Sequence, residues 1–202
     1  MNAFDPDTYT YTIDGRAVPS VTTVLNDLLP CFQAGEWYLN RGIAVHACCA
    51  MIARGKAFEH DPEIDGQVRA CRRFFAEVKP VVIDVERRLY STRYGFAGTF
   101  DMVCKIDGRV VLLDWKASFN KSLPYQLAGY ALLNEGCIGN QAIKYGCGVQ
   151  LCDDGTYHMS HEKPHGFYDL RSYKNGFLAL LSAYNIRKNA LKGIACQKAV
   201  VK

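Results

Sequence analysis

The chain has 202 residues, 49% of them hydrophobic and 22% charged, enough to bury the core of one ordinary globular domain. A formal net charge of +4 permits an anionic partner without demanding one, and no apolar run approaches the roughly 18 residues of a membrane span. The opening MNAFDPDTYT has neither the basic and apolar regions of a secretory signal nor the arginines of a transit peptide, so an intracellular, cytoplasmic protein with no membrane partner is expected. The nine cysteines are odd in number and irregularly spaced, and no C-x-x-C occurs. Free thiols in a reducing compartment are therefore expected rather than disulfides or structural zinc. No internal repeat or low-complexity linker divides the chain, and one domain over residues 1–202 is expected.

Residues 8–13, TYTYTI, alternate as a strand does, and Asp14-Gly15 is a hairpin turn signal. Ser20 is placed to cap a short helix over about 21–28, stopped by Pro30. A helical pattern runs from about Ala34 to Arg54, with Trp37, Ile43, Ala47 and Met51 able to share a face and Ala44 and Cys48 beside them; Gly42 can split it in two. His46 lies in this segment as either a core histidine or a site residue. A second helix covers about 64–78, with Val68, Cys71, Phe74 and Phe75 inward. Arg69, Arg72 and Arg73 share another face of it, as a solvated surface or a phosphate-contacting strip.

Residues 81–91 alternate as a strand, Val82, Asp84, Glu86 and Arg88 on one side. A turn at Arg93–Gly95 leads to a strand carrying Asp101, and Asp107-Gly108 turns that strand into another carrying Asp114 and Lys116. A helix over about 122–136, a strand at 143–151, a turn at Asp154-Gly155, a strand at 156–161 and a long amphipathic helix from about Asp169 to Lys192 complete the chain. Phe177, Leu180, Leu181 and Tyr184 line the inner face of that last helix. The class is α/β or α+β, a mixed central sheet flanked by helices, with a helical part over about 20–79 and a core over about 80–165.

The stretch from Gly98 to Tyr130 concentrates the chemistry. Val110 to Leu113 form a run apolar enough for a sheet interior, and it ends in Asp114, Trp115 and Lys116. Charges there are costly unless paired or holding a metal. Pairing the hairpin around Asp107-Gly108 sets Asp101 opposite about 114, with room for a slip of one or two residues. Two carboxylates about 4 Å apart repel by about 4 kcal/mol at an effective dielectric near 20, so a proton or a cation sits between them. Hard oxygen donors favour Mg²⁺ or Mn²⁺. Lys116 can orient or deprotonate a water, or stabilise a charged transition state. Gln126 and Tyr130, four apart on a helix, are either ordinary helix residues or a pair that orders the lysine or holds a nucleotide.

In order, His46, Glu86, Gly98-x-x-Asp101, Asp114-x-Lys116 and Gln126-x-x-x-Tyr130 resemble the PD-(D/E)XK nuclease superfamily. The histidine and the Q-x-x-x-Y pair are similar to its RecB-type exonuclease branch, which includes the mitochondrial genome maintenance exonucleases and their phage and bacterial relatives. PSVTTVL (19–25), RGIAVH (41–46), GTFD (98–101), DWKAS (114–118) and YQLAGY (125–130) carry the likeness, over about residues 17–160. The resemblance implies a restriction-endonuclease-like core and Mg²⁺- or Mn²⁺-dependent hydrolysis of DNA, single-stranded or from a free end, in replication, recombination or repair. It makes His46, Asp101, Asp114 and the Trp115 carbonyl the metal ligands, Lys116 the catalytic lysine, and Glu86 a residue at the outer edge of the metal. Gln126 and Tyr130 become DNA- or site-organising residues, and Ser20, Thr22 and Ser118 phosphate contacts. Position 117 is alanine where the pattern often has threonine. Relatives with an iron–sulfur cluster place one cysteine before the histidine and three near the C-terminus. Here Cys31 precedes His46 but only Cys196 lies near the end, so no cluster is expected. An endonuclease and a non-catalytic nucleic-acid-binding module remain as alternatives.

Overall fold

The structure is a computed structural model that describes residues 1–29, 35–136, 142–160 and 166–200, with side chains of the last helix described to residue 191. Pro30, Cys31, Cys137, His161, His165 and the side chain of Cys196 lie outside the described residues. A small antiparallel sheet of β1 (Ala3–Asp5), β2 (Thr10–Ile13) and β3 (Arg16–Val18) comes first. The Asp14-Gly15 turn closes its second hairpin with both residues at positive φ, 48° and 75°, the twist a two-residue hairpin needs.

The main sheet has six strands. β4 (Val81–Ser91), β5 (Phe96–Ile106) and β6 (Arg109–Lys116) form an antiparallel meander. β7 (Tyr145–Leu151) then joins β6 in parallel, with α4 (Leu123–Glu135) in the connection between them. β8 (Tyr157–Met159) and the two-residue β9 (Tyr168–Asp169) both pair antiparallel with β7. The sheet is therefore mixed and flanked by helices, the expected class.

Packing follows from β6. Leu112 joins a cluster with Val21, Leu127, Leu133 and Phe177, under α1 (Val21–Leu28), α4 and α5 (Arg171–Val200). Val111, Leu113 and Trp115 join a second cluster with Cys49, Val68 and Phe74, under α2 (Glu36–Ala53) and α3 (Asp65–Val78). Alternation along a strand covered on both faces makes the run continuously apolar. Each such side chain contributes on the order of 1.5–3 kcal/mol by leaving water. Phe177 is fully buried, and Leu180, Leu181 and Tyr184 belong to or pack against the first cluster, as the long-helix pattern predicts.

Three local expectations need correction. Gly42 does not split the first long helix, because α2 runs unbroken from Glu36 to Ala53. The apolar face that the spacing groups is not the one the helix buries: Trp37 is 53% and Ile43 55% accessible, while Val45, Cys48, Cys49 and Ala50 are buried. The repeat of apolar residues in α2 was ambiguous, since apolar side chains line more than one face. Strict alternation in β4 also fails. A register shift between Val82 and Asp84 lets Val82 and Val85 pack on the same cluster.

Ser20 caps α1 as expected, its hydroxyl accepting from Thr23 N at 3.0 Å. Ser20→Ala is expected to cost about 1 kcal/mol of stability. Urea unfolding checks this, and an unchanged midpoint contradicts it. Cys48, Cys49, Cys71, Cys104 and Cys147 are buried free thiols, and Cys152 is a partly exposed one. Among the described residues no helix is long and apolar enough to cross a membrane.

Candidate active site

The site forms where α2 meets the meander. His46 lies in the second half of α2, Glu86 in the middle of β4 and Asp101 in β5. One ligand atom from each lies within 4.8 Å of the others. His46 Nδ1 is 3.1 Å from Asp101 Oδ1. The other Asp101 oxygen accepts from Trp115 N at 2.8 Å, which ties β5 to the last turn of the β6 ladder. Glu86 reaches this group because its own backbone is left-handed, at φ 54°, and this breaks the alternation of β4 next to the register shift.

Asp114 and Lys116 lie on the same side of β6, toward α4. The β5–β6 register runs from Ile106↔Arg109 to Met102↔Leu113, and one more step sets Asp101 opposite Asp114. Gln126 on α4 joins the pair. Its Nε2 donates to Asp114 Oδ1 at 3.0 Å, and its Oε1 accepts from Lys116 Nζ at 3.0 Å. An ammonium only donates and a carboxylate only accepts, so the amide has one orientation that serves both. Gln126 Nε2 also lies 3.3 Å from the Tyr130 hydroxyl. Lys116 Nζ stands 2.5 Å from Asp114 Oδ2, as an ion pair. Beyond this ion pair no hydrogen bond reaches Asp114 Oδ2, which is buried.

The group crowds carboxylates around the His46 imidazole and the Lys116 ammonium. Burial works against a protonated His46, yet its side chain keeps 36% exposure and the Asp101 carboxylate prevails, raising His46 to about 9. Burial, and then the charge of Asp101, pushes Glu86 up to about 7. Burial also opposes ionisation of Asp101, but the charge and hydrogen bond of His46 hold its carboxyl below the usual range. Asp114 is raised, by burial first and by Asp101, against the pull of Lys116. Burial raises the Tyr130 phenol well above its ordinary value.

Two further details come from the backbone. A Cβ on Gly98 would sit 2.9 Å from Tyr130 Cε1, so the strand passes directly under the phenol ring. Gly98→Ala is expected to displace Tyr130 and to cost about 1–3 kcal/mol. Denaturant unfolding reads the loss, and wild-type stability would contradict it. Thr99, one residue on, holds the Tyr11 hydroxyl at 2.9 Å, which fastens the small N-terminal sheet beside the site. Sequence reasoning missed both Thr99 and Tyr11; the position of Thr99 two residues before Asp101 on one strand was the available signal.

The other expected contacts fall as follows. Ser20 Oγ is engaged in the cap and with Thr22 Oγ1 at 3.0 Å. Ser118 is exposed two residues past Lys116. The Trp115 indole is 2% exposed and packs edge-on against Phe74 at 5.5 Å. Arg69 and Arg73 are paired within α3 to Asp65 and Glu77, at 2.8 and 2.7 Å, and Arg72 lies over Phe58. His158 is exposed on β8.

No family model and no curated protein sequence matches the chain. Solved structures are similar to it. One is an alkaline exonuclease, LHK-Exo, from Laribacter hongkongensis, at 16% identity and a TM-score of 0.36, covering 86% of this chain and 93% of that one. Another is LHK-Exo in complex with dAMP, at 16% identity and a TM-score of 0.38, covering 87% and 94%. The likeness is distant.

The chain's own donor set fits a divalent metal. His46, Glu86 and Asp101 offer one imidazole nitrogen and carboxylate oxygens within bridging distance, and Asp114 Oδ2 is a buried oxygen whose one partner is the Lys116 ammonium. The group differs in emphasis from the expected ligand set: Glu86 stands in the closest trio and Asp114 beside it, bound through Gln126 and Lys116.

Proposed function

We propose that this chain is a metal-dependent deoxyribonuclease of the PD-(D/E)XK type, an exonuclease that acts on single-stranded DNA or DNA ends. The observation that carries the reading is the closure of His46, Glu86 and Asp101 on one point, with the Asp114–Lys116–Gln126 chain beside it. A bare acid cluster needs no lysine beside it.

On this reading His46, Glu86, Asp101 and Asp114 hold Mg²⁺ or Mn²⁺, with the Trp115 carbonyl available as a further oxygen. The ion supplies Lewis-acid chemistry, polarising a phosphoryl oxygen and lowering the pKa of a water. The protein residues do the positioning. Asp101 is oriented by the hydrogen bond that one of its oxygens accepts from Trp115 N. Lys116 is held by Asp114 on one side and by the Gln126 amide on the other, so its one remaining hydrogen is free for the phosphate or the attacking water. Tyr130, kept protonated by burial, fixes the amide in turn. Preorganisation of this kind costs no reorientation when charge develops on the phosphoryl oxygens.

A time course on end-labelled single- and double-stranded DNA tests this, with Mg²⁺, Mn²⁺ or EDTA. Metal-dependent release of nucleotides from an end is expected, with circular single-stranded DNA left whole. Cutting of the circle replaces the exonuclease with an endonuclease. Binding without hydrolysis on every substrate and metal rejects the enzyme.

A further inference from the structure

Arg54 and Arg88 flank the Glu86 edge of the site. Arg88 follows Glu86 by two residues on β4, opposite Thr99 of β5, while Glu86 lies beside Asp101. Arg54 closes the C-terminal end of α2, the helix that carries His46, and its Nη2 donates to Val85 O at 3.1 Å, one residue before Glu86. Both side chains belong to exposed residues. Neither forms an ion pair with a carboxylate among the described residues, unlike Arg41, Arg69, Arg73, Arg87 and Arg171. Arg88 is further held over the face of Phe4, 4.4 Å from the ring centroid. Stacking uses the face of a guanidinium and leaves its in-plane N–H donors for an anion. Arg54 spends one of its five donors on Val85.

We infer that Arg54 and Arg88 form a phosphate clamp, which holds a phosphate of the substrate strand next to the one at the metal. The inference rests on the nuclease reading and adds to it the edge of the site along which the strand runs. Two exposed guanidiniums at a single sheet edge stand without a carboxylate in ion-pair distance among the described residues. A DNA phosphate supplies an anion in the geometry that Arg recognises best. A Lys at either position keeps the charge but loses the fork.

The test is fluorescence anisotropy of a single-stranded oligonucleotide with Ca²⁺ in place of Mg²⁺, its integrity checked on a gel, across a NaCl series. Wild type, Arg54→Ala, Arg88→Ala and the carboxylate-paired control Arg171→Ala are compared. Each clamp variant is expected to flatten the slope of log K against log salt by about 0.7, the value for one single-strand phosphate contact, and to weaken binding several-fold at low salt. Arg171→Ala keeps the wild-type slope. Circular dichroism melting shows whether the variants are folded, and metal-induced stabilisation, unchanged in Arg88→Ala, shows that the ion site is whole. Equal losses on 5′-phosphate and 5′-hydroxyl oligonucleotides assign an internal phosphodiester. A loss confined to the 5′-phosphate form assigns a terminal phosphate, and both results uphold the clamp. Wild-type slopes in both clamp variants overturn it while leaving the nuclease reading intact. A wild-type chain that binds no DNA overturns both.

Discussion

Lys116→Ala is expected to lower the single-turnover cleavage rate by about 10²–10³-fold, the usual loss for one preorganised donor at a developing anion. The variant also strands Asp114. That carboxylate is 2% exposed, and Lys116 is its cationic partner. Removing one member of a buried pair leaves a charge with poor solvation, so the metal-free variant should melt at lower temperature than wild type. Saturating Mg²⁺ should restore most of that difference, because the ion takes over neutralisation of Asp114. The two losses separate cleanly: stability returns with metal and the rate does not. Rates within tenfold of wild type would remove Lys116 from the chemistry. A melting temperature that metal fails to raise would remove Asp114 from the ion's surroundings.

Metal binding should strengthen with pH. In the metal-free chain His46 is raised from 6.5 to about 9 and Glu86 from 4.5 to about 7. A raised value means that the folded chain keeps a proton the unfolded chain has lost. Each group therefore contributes stability below its ordinary value, and that contribution is lost as pH rises toward the raised one. The windows run from about 4.5 to 7 for Glu86 and from 6.5 to about 9 for His46. A bound cation replaces these protons, so apparent affinity should rise by about tenfold per pH unit for each proton displaced. Melting temperatures with Mg²⁺ and with EDTA, from pH 6 to 9, check the sign. The metal-induced increase should grow across the range and should be smaller, with a flatter pH dependence, in His46→Ala. A metal-induced increase that shrinks with rising pH would show that His46 is not displaced by the ion.

The meander and its two acids were legible because local chemistry fixes them. Asp107-Gly108 occupies a turn at φ 48° and 75°, which sets a two-residue loop and with it the register from Ile106↔Arg109 inward. The apolar run before Asp114 announces a strand buried on both faces. The helix of Gln126 and Tyr130 was likewise announced by its own spacing, though only the structure shows one amide serving both Asp114 and Lys116. The place of Glu86 was not legible. It depends on a register shift and a left-handed residue, and neither leaves a mark in the alternation of VVIDVERRLYS. Arg88 and Arg54 escaped notice for a related reason. Unpaired charge is a property of neighbourhoods, and those neighbours lie in other elements. The buried face of α2 was not legible because Trp37 and Ile43 are as apolar as the residues that the helix buries.

The left-handed backbone at Glu86 has a consequence for how this position tolerates change. A φ of 54° suits glycine, asparagine and aspartate and penalises β-branched side chains. A saturation library at position 86 would therefore rank residues differently under two selections. Sorting for folded protein without metal should enrich Gly and Asn, which relieve both the backbone and the half-buried carboxylate. Sorting for activity should retain Glu, with Asp as the one replacement that keeps an acid and accepts the backbone. Opposite rankings at a single codon would mark a residue retained for its chemistry at a cost to the fold.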